Sequence, residues 1–191
     1  MDGFVEWATR EAKIRLAPLG RRLAHVQQVA RRADEIGRVI VGDQTGLLVA
    51  AAYLHDIGYA PELAHTGFHP LDGARFVRDA GFPEAAMLVA HHTGGRNEAA
   101  LRGINVFADE FPFEDSLTLR ALTYCDLTTG PDGTRTTVSA RIAEICERYG
   151  PDHVVSRGVL FGLPEFRDIE AEVEGLLALS ESTGSSQKES R

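Results

Sequence analysis

Ionisable residues follow three apolar segments of this chain, and their types are those of metal ligands. One apolar segment ends in His55-Asp56, a second in His91-His92, and a third in Asp126. Burying an unpaired carboxylate is costly, so three buried helices that end in such groups need something to neutralise them. A divalent metal ion would neutralise the carboxylates and accept imidazole nitrogens. The pattern therefore predicts a metal site where helix ends converge.

Two further histidines can join this site. His25 lies at the edge of an apolar stripe, one position before Val26, and His69 directly precedes Pro70 at the start of a predicted helix. The candidate ligands are His25, His55, Asp56, His69, His91, His92 and Asp126. They exceed what one ion accepts, so we predict two divalent ions with Asp56 as the bridging and catalytic carboxylate. Imidazole with carboxylate favours Fe, Mn, Co, Ni or Zn over magnesium.

Each candidate also has an ordinary structural explanation. An isolated His-Asp pair can be a hydrogen-bonded structural pair, His25 can be a core-edge histidine, and Asp126 can cap a turn. His91 and His92 point about 100° apart on a helix, so both can face one site only where the helix ends. The joint occurrence of five histidines near one predicted pole is what favours metal binding.

Helical periodicity supplies the elements that must position these residues. The predicted helices cover residues 3–16, 21–36, 45–54, 70–81, 83–92, 116–127, 138–149 and 166–179. The segment 45–54 is apolar all round, which indicates a buried central helix. No alternating run suits a sheet. We therefore predict an all-α fold, with one domain over residues 1–179 and a disordered tail over residues 180–191.

Charge and composition exclude several functions. The 191 residues include 20 basic and 28 acidic side chains, for a formal net charge of −8, which disfavours binding to nucleic-acid polymers or anionic membranes. The 2 cysteines suit a reducing compartment, and no apolar stretch is long enough to span a bilayer. We expect a cytoplasmic protein, and its oligomeric state stays open.

The ligand series resembles the HD-domain superfamily of metal-dependent phosphohydrolases, in its dimetal subgroup. The resemblance covers about residues 20–130 and rests on His25, His55-Asp56, His69, His92 and Asp126, with 54–58 matching the His-Asp-Ile-Gly form. It implies a helical bundle with the metals at converging helix ends. Two departures stand out: Tyr59 replaces the lysine that many members carry, and the Gly-Tyr-Pro signature of cyclic-dinucleotide phosphodiesterases is absent.

The resemblance implies hydrolysis of a phosphoester or phosphoanhydride of a small molecule, with nucleotides as the favoured class, by a metal-bound hydroxide. Arg96 and Arg135 are candidates to hold phosphate oxygens, Thr129 to donate a hydroxyl hydrogen bond, and His65 to touch substrate at the mouth. Two alternatives remain. One is a di-iron oxygenase of the same fold that cleaves a C–P or C–C bond, and the other is a regulatory HD module without turnover.

Overall fold

The computed structural model describes the backbone of residues 2–188 and the side chains of residues 3–183. Within these residues the secondary-structure elements longer than three residues are all α-helices. They are α1 (Asp2–Arg15), α2 (Gly20–Ile40), α3 (Thr45–Leu54), α4 (His69–Asp79), α5 (Pro83–His91), α6 (Gly95–Arg102), α7 (Val106–Glu110), α8 (Leu117–Leu127), α9 (Val138–Tyr149) and α10 (Val154–Lys188). The all-α prediction is confirmed. None of these helices combines the length and the apolar character that a membrane crossing needs.

The central helix of the bundle is α3. It packs against α1, α2, α5 and α8, and its side chains are buried on all sides, with Leu48, Ala51 and Leu54 fully inaccessible. An Ala- and Leu-rich helix without charges can be surrounded in this way, because every face gains from burial. The position of α3 brings its C-terminal end, and with it His55 and Asp56, into the interior.

Prolines and a serine mark three helix starts. Pro70 lies in the first turn of α4 and Pro83 in the first turn of α5, where a missing N–H costs nothing and a fixed φ favours the helix. Ser116 caps α8 because its Oγ accepts a hydrogen bond from the Leu119 N–H at 3.2 Å. These starts fix the direction in which α4, α5 and α8 approach the centre.

The turn after α3 lies directly against the start of α4. A Cβ atom on Gly58 would fall 2.1 Å from the carbonyl oxygen of His69 and 2.6 Å from the nitrogen of Gly73. Only glycine allows two backbones to approach this closely. The close approach places His69 beside Asp56, two residues before the glycine.

The C-terminal third differs most from the sequence prediction. The last helix begins at Val154 rather than at residue 166, and it passes through Pro164. An internal proline removes a hydrogen bond and crowds the preceding turn, but α10 buries Val159 on one side of it and Phe166 on the other. Packing on both sides of the proline stabilises the continuous helix. The short helices α6 and α7 were not predicted either.

The predicted disordered tail is also helical over most of its length. The structure continues α10 to Lys188, while residues 189–191 lie outside the described residues. Residues 180–188 contain no proline, and extending an established helix needs no new nucleation step. The absence of an apolar pattern in this segment is therefore compatible with helix.

Candidate metal centre

Six of the seven predicted ligands meet at one point inside the bundle. They come from five places in the chain: α2, the turn after α3, the start of α4, the residue after α5, and α8. All are buried except His69, which is half-buried. The six are His25, His55, Asp56, His69, His92 and Asp126.

These side chains form two groups that share Asp56. The first group consists of His25, His55 and Asp56, and the second of Asp56, His69 and His92. Within each group every residue offers one nitrogen or oxygen atom that could bind a metal, and these atoms lie within 4.8 Å of one another. The two oxygens of Asp56 divide between the groups. Oδ1 lies 3.4 Å from His69 Nε2 and 4.0 Å from His92 Nε2, while Oδ2 lies 3.6 Å from His55 Nε2. A carboxylate that bridges two ions needs this division.

Asp126 extends the first group. Its Oδ1 lies 3.0 Å from His25 Nε2 and 3.8 Å from His55 Nε2. Its Oδ2 accepts a hydrogen bond from the Thr93 hydroxyl. Thr93 has a φ of 48°, in the left-handed region where a β-branched residue is uncommon. This strained turn lets the residue after His92 reach the carboxylate.

Backbone carbonyls orient three of the imidazoles. The Nδ1 atoms of His25, His55 and His92 lie 2.9, 2.8 and 2.6 Å from the carbonyl oxygens of Gly130, Ala52 and Val89. A neutral ring that donates from Nδ1 carries its lone pair on Nε2, and all three Nε2 atoms face the cluster. Histidines that bind metals typically donate a hydrogen bond in this way from the ring nitrogen that does not contact the metal.

The Nε2 atom of His55 provides the test of whether a metal fits. It is buried and has no hydrogen-bond partner within the described part of the chain. A buried polar atom left in this state is destabilising by about 1–3 kcal/mol. A cation would satisfy it. The residues present therefore fit a divalent metal, and the donor set of imidazoles and carboxylates suits a transition metal.

The protonation states agree with this fit. Burial lowers the pKa of His55 to about 4 and also lowers the pKa of His69 well below its usual range. Burial opposes ionisation of Asp56, but Arg22 and the imidazoles outweigh it, so the pKa of Asp56 lies well below its usual value. Burial likewise opposes ionisation of Asp126, but its close contact with His25 and the neighbouring imidazoles outweigh burial and lower its pKa. Neutral imidazoles and ionised carboxylates are the forms that bind metals.

Arg22 and Tyr59 support the cluster from outside, Arg22 at the Oδ2 atom of Asp56 and Tyr59 at His69. The Nη1 of Arg22 donates to Asp56 Oδ2 at 2.5 Å, and its guanidinium lies 3.8 Å from the centre of the Tyr59 ring. The Tyr59 ring stacks on His69 at a centroid distance of 4.0 Å. Tyr59 thus holds an arginine and a candidate ligand histidine in place.

The structure does not bring His91 to the cluster. Its Nε2 donates to the carbonyl oxygen of Phe111 at 2.8 Å, and its ring meets Phe107 and Phe113 edge-on. Successive helical residues point about 100° apart, and α5 ends between His91 and His92, so the two side chains diverge. The prediction that His91 is a ligand is corrected accordingly: only His92 faces the other ligands.

The two arginines predicted to hold phosphate are engaged elsewhere. Arg96 donates to Glu165 at 2.8 Å and lies 3.8 Å above the Phe113 ring. Arg135 donates to Glu35 at 2.6 Å on an exposed surface. Neither arginine lines the cavity at the cluster. Each is instead paired with a carboxylate elsewhere, Arg96 with Glu165 and Arg135 with Glu35.

The other two predicted substrate contacts also lie outside this cavity. The Thr129 hydroxyl donates to the Cys125 carbonyl one turn back on α8, at 2.7 Å, a bond that short hydroxyl side chains often make near helix ends. His65 is exposed in the loop before α4. The structure places neither side chain against the cluster.

A cavity of about 70 Å³ opens over the cluster, and sequence reasoning missed most of its walls. Its lining includes three arginines and two tyrosines: Arg22, Arg141, Arg148, Tyr59 and Tyr149. Spacing could have revealed some of them. Arg22 precedes His25 by three residues on α2, and Arg141 and Arg148 are seven apart on α9, so each pair shares one helix face.

An all-α bundle with buried histidines and aspartates at converging helix ends defines a class of metal-binding helical proteins. Within that class the comparison with family models is specific: the HD-domain model matches residues 22–152, and the chain belongs to the HD-domain family. The match extends beyond residue 130 and includes α9. The family is of the metal-dependent phosphohydrolase type, and the cluster is compatible with divalent metal binding. Neither the search of curated proteins nor that of solved structures found a significant match.

Proposed function

We propose that this protein is a phosphohydrolase with two divalent transition-metal ions, and that it hydrolyses a phosphoester or phosphoanhydride of a small molecule. The observation that carries the proposal is the sharing of Asp56, one oxygen toward His55 and the other toward His69 and His92. Sites with two neighbouring metal ions are a recurrent solution for displacement at phosphorus.

The ligand groups divide the proposed ions between them. His25, His55, Asp56 and Asp126 would hold one, and Asp56, His69 and His92 the other. Bound ions would neutralise phosphate oxygens and lower the pKa of water at the site. The chain supplies the rest: the backbone carbonyls hold the imidazoles in one tautomer, and Arg22 fixes the Asp56 carboxylate at 2.5 Å.

The shape of the cavity favours a small phosphorylated substrate. A volume of about 70 Å³ over the cluster suits a phosphoryl group and is far below the roughly 300–1,000 Å³ of pockets that enclose drug-sized ligands. The remainder of the substrate would lie in the opening, which is lined by Tyr149, an aromatic ring that also stacks on His153 at a centroid distance of 4.9 Å. Aromatic rings stack on nucleobases, which makes nucleotides the first class to test.

The test is elemental analysis of the purified chain followed by a phosphoester screen with Mn, Fe, Co and Ni. We expect the chain to contain transition metal and to release inorganic phosphate or a nucleoside monophosphate. Asp56→Asn should lose metal and should release neither product. Folding of the variant is checked by circular dichroism.

Two results would overturn the proposal. Turnover that needs oxygen and cleaves a phosphonate, with an electron paramagnetic signal from an iron pair, would identify a di-iron oxygenase. Bound metal without turnover of any compound in the screen would instead favour a regulatory module.

A further inference from the structure

A second cavity of about 110 Å³ adjoins the one over the ligand cluster. Its lining consists of four arginines, one histidine and one proline: Arg21, Arg22, His25, Pro131, Arg141 and Arg148. Arg22, Arg141 and Arg148 line both cavities. The two cavities are thus neighbours that share a wall of guanidinium groups.

The sign of charge in this second cavity opposes that of the whole molecule. The chain carries a net charge of −8, yet no carboxylate is among the residues that line this cavity. Two carboxylates reach its arginines from outside. Asp56 pairs with Arg22, and Glu144 contacts both Arg141 and Arg148, the latter at 3.6 Å. Arginine is the residue best suited to grip phosphate oxygens in pairs.

Arg141 is the strongest evidence that a ligand belongs here. Its side chain is only 7% exposed, and although its Nη1 donates to Glu144, its Nε is buried without a hydrogen-bond partner within the described part of the chain. Buried donors are almost always satisfied, and exceptions often mark functional sites. An anion in either cavity would be within reach of the shared guanidinium wall.

We propose that the second cavity binds a second phosphate group, adjacent to the one at the ligand cluster, so that the enzyme prefers phosphoanhydrides to phosphomonoesters. This inference rests on the proposed function. In the reaction the oxygen of water forms a bond to the phosphorus over the cluster. The bond from that phosphorus to the bridging oxygen breaks, and its electron pair stays on the departing phosphate. The water gives up one proton to solvent.

The role of this chain is to hold the departing phosphate. A cavity of about 110 Å³ suits a phosphate group and is small beside the roughly 300–1,000 Å³ of pockets that take drug-sized ligands. Arg141 and Arg148 would neutralise the charge that grows on the departing group. A monoester, whose leaving group is an uncharged alcohol, gains less from these arginines, because only its single phosphoryl group reaches them.

The test compares ADP and inorganic pyrophosphate with AMP as substrates of the metal-loaded chain. We expect a higher kcat/KM for the two anhydrides, and a loss of about 10- to 100-fold for them in Arg148→Gln, the size of one charged hydrogen bond. AMP hydrolysis should fall by a smaller factor, because Arg148 also lines the cavity over the cluster but AMP places no phosphate in the second cavity. Arg157→Gln, at an exposed position on α10 outside both cavities, is the matched control.

A binding measurement separates recognition from turnover. Calorimetry on the metal-loaded chain should show tighter binding of imidodiphosphate than of orthophosphate, and Arg148→Gln and Arg141→Gln should each remove that difference. Arg148 is exposed and the less disruptive change; circular dichroism checks that both variants fold.

The outcomes distinguish the two proposals. If no compound releases phosphate, the proposed function fails. If AMP is hydrolysed as well as ADP, or if Arg148→Gln slows both equally, the phosphohydrolase stands and the phosphoanhydride preference is overturned.

Discussion

Asp56 meets ligands on two sides because it lies just beyond a helix end. His55 ends the run of α3 and points one way, and Asp56 follows in the turn, where its two oxygens face different histidines. The His-Asp dipeptide is therefore informative through its position at the end of a buried helix, which the apolar sequence of residues 45–54 made predictable.

The neighbours His91 and His92 provide a residue-level test of the ligand assignment. We expect His92→Leu to lose the ion held with His69, leaving about one metal per chain. His91→Leu should keep the full metal content. It should nevertheless lower the free energy of unfolding by about 1–2 kcal/mol, because the Phe111 carbonyl loses its donor. Elemental analysis and urea unfolding measure the two effects, and metal loss in His91→Leu would contradict the assignment.

Sequence reasoning found the ligands but not the arginines around them. Histidine and aspartate after apolar helices violate the usual pattern of burial, so they stand out. Arginine on a helix surface is ordinary, and Arg22 and Arg141 differ from Arg96 and Arg135 only through tertiary contacts. Arg96 and Arg135 find carboxylates from distant segments, Glu165 and Glu35, which no local pattern reveals.

Among the elements, the contact between the turn at Gly58 and the start of α4 is the most sensitive to substitution. Gly58→Ala would force a Cβ against the His69 carbonyl, and we expect a loss of about 1–3 kcal/mol in unfolding free energy together with weaker metal binding beside His69. Chemical denaturation with metal titration measures both.

Gly175→Ala is the control for this prediction. Gly175 is an exposed position on α10 where a Cβ meets nothing within 4 Å. Alanine there should raise stability by roughly 0.5–1 kcal/mol. If Gly58→Ala were as harmless as Gly175→Ala, the close approach would not position His69.

The link between α4 and α7 predicts a dependence of stability on pH. Glu110 at the end of α7 accepts hydrogen bonds from Arg75 and Arg78 of α4, and the hydrogen bond from Arg75 is the main reason that its pKa falls to about 2. A lowered carboxyl pKa stabilises the fold above the unfolded value, about 4.5, and this contribution is lost as pH falls toward 2.

We expect Glu110→Gln to cost about 1 kcal/mol at pH 6, the upper end for partly exposed ion pairs. The difference from the unmodified chain should shrink at pH 3. Urea unfolding at the two pH values measures it. An equal difference at both would show that the carboxylate charge is not what joins the helices.

Elements with strong local signals were predictable, and elements made by tertiary contact were not. Pro83 and the capping serine Ser116 are local signals that predict where α5 and α8 begin. Pro164 predicts a break, yet α10 continues because Val159 and Phe166 are buried on either side of it. That packing involves α9, which directly precedes α10, and α6, which lies far away in sequence.

The net charge of the whole molecule conceals its local distribution. A value of −8 disfavours nucleic-acid polymers, but it counts buried Asp56 and Asp126 as free charges and averages over the cavity lined by four arginines. If two divalent ions bind, the pole that carries the cluster becomes strongly positive. A small anion could then be attracted to this pole while the rest of the acidic surface repels polyanions.

The ratio of metal to protein in the unmodified chain and in Asp56→Asn tests the central claim most directly. If Asp56 bridges two ions, the unmodified chain purified with Mn or Fe binds two equivalents, and Asp56→Asn, while still folded by circular dichroism, binds less than one. One equivalent in the unmodified chain, or two retained by Asp56→Asn, would contradict the shared-carboxylate site.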